Sequence, residues 1–186
     1  PDQLSSSLAP LAWWNERLSG DAAMRADLAA ADVVVLWPLS VHDLLPALVF
    51  GQCRGEWPDP LRACFEAATA DVEPQMDVAF STVAALVPDT ATILATDGYA
   101  PPAFLDAWGA EPYFGEMGPL TDPHFVVERL AARHGFTVVG TQAALSGPSL
   151  SEPPAEGLFQ VDGLHPTARG SQLMAEALVL EDGLGD

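Results

Sequence analysis

Residues 33–37, Val-Val-Val-Leu-Trp, are apolar at every position. A strand with one wet face alternates apolar and polar side chains, whereas an unbroken apolar run fits a strand covered on both faces. The run therefore reads as a central strand of a parallel sheet, ended by Pro38. Two further short runs share its character, at 90–96 (Thr-Ala-Thr-Ile-Leu-Ala-Thr) and 136–140 (Phe-Thr-Val-Val-Gly). Helical stripes separate them. Leu61, Val72, Met76, Phe80, Val83 and Val87 trace one long helix from residue 59 or 60 to about 87, with Pro74 as a kink. Residues 122–134 read as a helix capped by Asp122, with Pro123 at its first position and Gly135 as its stop. Before the first strand, 4–18 reads as a helix with a break at Pro10, and 21–31 as a second helix capped by Asp21. Residues 44–50 and 101–108 read as short helical pieces; 51–60, 109–120 and 146–157 read as loops. This alternation predicts an α/β chain with a parallel sheet and helices on both faces.

The chain has 186 residues, the length of one domain with a sizeable core. Its 26 Asp and Glu residues outweigh 7 basic residues, all Arg, for a net charge of −19. That balance disfavours nucleic acid and anionic membranes as partners. No apolar run is long enough to span a bilayer. The absence of Lys excludes Schiff-base chemistry and a Walker-type phosphate loop. The four histidines, His42, His124, His134 and His165, show no metal-ligand spacing, and no cofactor motif is present. His134, last in its helix, reads as a partner of the helix dipole, and His124 as an exposed first-turn residue. Cys53 and Cys64 lie eleven apart, which leaves open a local disulfide or two buried thiols. No signal peptide is visible, so secretion and a cytoplasmic location both stay open.

The stretch 161–178 carries the chemistry. Asp162 and His165 are three residues apart, with Gly163 between them and Pro166 directly after. Pro166 suits the first turn of the helix that follows, where Leu173, Met174, Ala177 and Leu178 recur at helical spacing. Asp162 and His165 would then share a tight loop. In such a pair the carboxylate fixes the imidazole tautomer and stabilises the imidazolium, and the His acts as general base. An Asp-Gly turn followed by His also occurs in loops without chemistry.

The block Asp162-Gly163-Leu164-His165-Pro166 before a C-terminal helix resembles the last block of the SGNH (GDSL-type) hydrolases, serine esterases and lipases of three-layer α/β/α, flavodoxin-like fold. The block from Trp37 to Leu45 resembles the family's third block, with Ser40 where Gly is usual and His42 where Asn is usual. The resemblance implies a serine ester hydrolase acting on a small-molecule ester through an acyl-enzyme, without a cofactor. It implies His165 as base, Asp162 as its partner, and Ser40 and His42 in the oxyanion region, where a His N–H would take the place of the Asn side chain. Asp43, Asp97 and Tyr99 follow strand ends and would line the substrate pocket. The family also makes a bridge between Cys53 and Cys64 the favoured reading of those residues.

No Gly-Asp-Ser block and no Gly-x-Ser-x-Gly elbow occurs in the chain. The expectation is a piece covering the last three quarters of the family domain, with the nucleophile upstream of Pro1. Such a piece would be inactive on esters and would leave an edge of strand 33–37 uncovered. Two rivals stand beside it: a non-catalytic SGNH-like binding domain, favoured by the altered third block, and an unrelated flavodoxin-like or Rossmann-like domain, which requires a Gly-rich phosphate turn that is absent.

Overall fold

The structure is a computed structural model that describes residues 11–36, 61–96, 123–146, 156–160 and 165–181. It is a mixed helix and strand chain with a three-stranded parallel sheet. The chain divides into two compact units, one from residues 1–32 and 39–91, the other from 33–38 and 92–186.

In the first unit, helices α1 (Leu11–Gly20) and α2 (Ala22–Ala29) pack against α3 (Leu61–Leu86). Asp21 caps α2 as its sequence position predicts. Its backbone is extended and its Oδ1 accepts from the N–H groups of Ala23 at 2.9 Å and Met24 at 3.1 Å. Those two donors have no partner inside the helix, so the carboxylate satisfies them. Arg17, one turn back on α1, forms an ion pair with Asp21. Helix α3 runs through Pro74, which is exposed and so keeps its ring out of the packed face. That face is the expected stripe: Val72, Met76, Ala79, Phe80, Val83 and Val87 are buried, as are Leu11 and Leu18 of α1 and Met24 of α2. Asn15 Nδ2 donates to the Gln75 carbonyl at 2.9 Å and ties α1 to α3 beside the proline. Trp13 and Trp14 are half-buried and meet edge to face at 5.0 Å, with the Arg17 guanidinium 5.5 Å from the Trp13 ring centre.

In the second unit, β1 (Val33–Leu36), β2 (Thr92–Thr96) and β3 (Thr137–Val139) lie in the order β1-β2-β3, all parallel. Val33 pairs with Thr92 and Leu94 with Thr137, which sets the register. The Thr96 hydroxyl donates to the Leu36 carbonyl at 3.2 Å and joins the ends of β1 and β2. Helix α4 (Pro123–His134) packs on β2 and β3 through Val126, Val127, Leu130 and Ala131. Gly135 ends it at φ +74°, and the Phe136 N–H returns to the Ala131 carbonyl at 2.9 Å. That six-to-one bond around a left-handed residue is a helix stop that glycine makes without steric cost. His134 is the last residue of α4, its ring 5.8 Å from that of Phe136. Helix α5 (Thr141–Ser146) leaves the C-terminal end of β3, and α6 (Ala168–Glu181) packs on α5 and β3.

Two expectations change. The run 33–37 is expected to be covered on both faces, but within β1 Val33 and Val35 are 40% and 45% exposed, and β1 lies at one end of the strand order among the described strands. Its apolar character records β-propensity on both faces, not the presence of a neighbour on both edges. Pro166, expected in the first helical turn, lies two residues before α6.

Candidate functional site: the loop that carries His165

Leu158 to Gln160 and His165 to Thr167 run antiparallel, bridged at Phe159 and Pro166. The Gln160 N–H donates to the His165 carbonyl at 2.8 Å, and the Thr167 N–H donates to the Leu158 carbonyl at 2.9 Å. These bonds flank the Phe159–Pro166 pair, which makes it the non-hydrogen-bonded position of the ladder. No N–H is needed from residue 166 there, so proline fits the bridge without losing a bond. The Gln160 side chain adds a long contact from Nε2 to the Pro166 carbonyl at 3.4 Å.

The helix begins instead at Thr167. Its Oγ1 accepts from the Gly170 N–H at 3.3 Å, and its carbonyl accepts from the Ser171 N–H at 2.8 Å. That is the hydrogen-bond pattern of an N-cap residue. The same hydroxyl donates to the Gly157 carbonyl at 2.7 Å and lies 3.2 Å from the Leu158 carbonyl. Gly170 is buried against this strand: a Cβ built on it would collide with the Leu158 carbonyl oxygen and stand 3.1 Å from the Pro166 Cβ. Underneath, Leu158, Leu145 of α5 and Met174 of α6 form a buried cluster, with Phe159 and Leu173 packed on it. His165 is thus an exposed residue on a strand that is hydrogen-bonded on one side and continues into a packed helix. A shallow groove of about 300 Å³ borders the loop, lined by Leu158, Arg169, Gln172, Leu173 and Glu176.

Of the residues singled out in the sequence, His165 lies in this loop. Asp162 and its neighbours 161–164 lie outside the described residues, as do Ser40, His42, Asp43, Cys53, Asp97 and Tyr99. Cys64 lies on α3 and His124 in the first turn of α4. Thr167 and Gly170 are the supporting residues that sequence reading overlooked. A Thr before a helical stripe is an N-cap signal that Pro166, read as the helix start, conceals. Among the described residues, no helix is long and apolar enough to cross a membrane. Comparison with protein-family models, with curated proteins and with solved structures finds no match for this chain.

Proposed function

We propose that this chain is part of a serine ester hydrolase of SGNH type. In this reading His165 is the general base and Asp162 orients it. The nucleophilic serine comes from a Gly-Asp-Ser block that these 186 residues do not contain. The observation that supports it best is the setting of His165, one rung from the N-cap of a helix that packs on the last strand of a parallel sheet. Strand order adds support. A flavodoxin-like sheet has the order 2-1-3-4-5. Without its first two strands it leaves three parallel strands in chain order, the arrangement of β1, β2 and β3.

The chemistry would run as acyl transfer. His165 takes the proton from the serine hydroxyl as its oxygen attacks the ester carbonyl, and Asp162 stabilises the resulting imidazolium. His165 returns the proton to the departing alcohol, then activates water to release the acid. Ser40 and His42 stand in the sequence block that supplies oxyanion donors in the family they resemble.

The test is hydrolysis of p-nitrophenyl acetate, with fluorophosphonate labelling, by the product of the complete reading frame. The expected result is a label on a serine within a Gly-Asp-Ser block, and a loss of about a thousandfold or more in kcat for His165→Ala. Residues 1–186 alone are expected to give neither label nor turnover. An unlabelled complete product, or a burst of nitrophenol from residues 1–186 that His165→Ala abolishes, overturns this reading. The altered third block, with Ser40 and His42, favours a second one: a related domain that binds a ligand without turning it over. An unlabelled product that folds and retains an ester analogue supports that alternative.

A further inference from the structure

We propose that Thr167 is the positioning residue for His165, and this rests on the reading of His165 as the base. Thr167 is the point where three parts of the loop are joined. Its hydroxyl proton goes to the Gly157 carbonyl at 2.7 Å and its N–H to the Leu158 carbonyl at 2.9 Å, so two bonds bind it to the incoming strand. Its Oγ1 and carbonyl accept from Gly170 and Ser171, so two more bind it to the helix. His165 is two residues away on the same strand, and its carbonyl is held by the next rung, from Gln160. Pro166 between them has a fixed φ, which transmits the placement of Thr167 to His165 with little slack. The hydroxyl therefore has two separable tasks. As an acceptor it caps the helix; as a donor it clamps the strand on which His165 rides.

Aspartate separates the two tasks. An ionised carboxylate at 167 still accepts from the Gly170 N–H and favours a helix N-terminus, but it has no proton for the Gly157 carbonyl. Serine keeps both. The experiment reads the imidazole carbon–proton NMR signals of Thr167→Asp, Thr167→Val and Thr167→Ser, with His165 assigned by its loss in His165→Ala and the His134 ring as an internal control. Circular dichroism reports on folding.

The expected result is that Thr167→Asp folds, with the His165 ring signals displaced or split into more than one environment and those of His134 unmoved. Thr167→Ser restores the single wild-type signal. Thr167→Val, which loses both cap and clamp, shifts the His165 signals as well. Wild-type His165 signals in a folded Thr167→Asp overturn the proposal and leave Thr167 a helix cap. Joint displacement of the His165 and His134 signals overturns it too, since the effect is then general. If Thr167→Asp does not fold, Thr167→Val is read by the same criteria; failure of both to fold overturns the positioning role. The readout requires no turnover, so it stands apart from the test of hydrolysis: a clamp can hold in a chain that cleaves no ester.

Discussion

Gly170 sits so close to the Leu158 carbonyl oxygen that no side chain fits between them. The obstacle is backbone rather than a flexible tip, so it cannot step aside without breaking the rungs around Pro166. Gly170→Ala is expected to destabilise the chain by about 1–3 kcal/mol, the usual cost of overpacking. Gly20→Ala, at the end of α1 with open space around it, is the control. It is expected to change stability by less than about 1 kcal/mol, in the stabilising direction. Urea unfolding midpoints of the two variants decide between them.

Asp21 predicts a pH dependence. The N–H of Met24, then that of Ala23 and the Arg17 guanidinium, hold its carboxyl below the ordinary value of 3.8. A carboxylate stabilised in the folded state contributes stability above its unfolded value and loses it as pH falls through the folded value. Asp21→Ala is therefore expected to lower the thermal midpoint at pH 7, with the gap to wild type closing in acid. A gap of the same size at pH 2 and pH 7 would mean that the charge is not involved.

Leu94 and Val35 lie side by side in the sheet register, one fully buried and the other 45% exposed. Leu94→Ala is expected to cost about 2–5 kcal/mol through lost burial and a residual cavity. Val35→Thr is expected to stay within about 0.5 kcal/mol of wild type. Because β1 has a described neighbour on one side only, Val35→Thr is also expected to reduce self-association, as read by light scattering at rising concentration.

Asn15 predicts a smaller effect in the helical unit. Its Nδ2 reaches the Gln75 carbonyl, while its Oδ1 is buried without a partner. Truncation removes a bond and an unsatisfied acceptor together, and the two partly cancel. Asn15→Ala is expected to cost about 1 kcal/mol or less by denaturant titration.

The features legible in the sequence are those decided within a few residues. Asp21 caps its helix, Gly135 stops its own, and the stripe of α3 survives Pro74, because capping, left-handed φ and helical period depend on near neighbours. The residues Val33 to Leu36 declare a strand by their own pattern, but its missing neighbour is legible only through the family resemblance, and the exposure of Val33 and Val35 not at all. Pro166 obeys two local rules, helix start and bridge, and the pairing with Phe159, remote in the loop, decides for the second. Helix α5 is too short to show a stripe. The need for glycine at 170 arises from Leu158, which no window around the helix contains. The loop was therefore visible as a histidine before a helix, and its fastening was not.

The sheet keeps its strands in the order in which the chain supplies them. On a ribosome, β2 emerges with β1 already available as its template, and β3 with β2. Among the described strands, none has to be threaded between two that have already paired. Each of these pairings closes only across a crossover connection, which makes the contacts of the sheet non-local. The loop of His165 rests on the same end of the sheet, since Leu158 and Met174 settle on Leu145 of α5, the helix that follows β3.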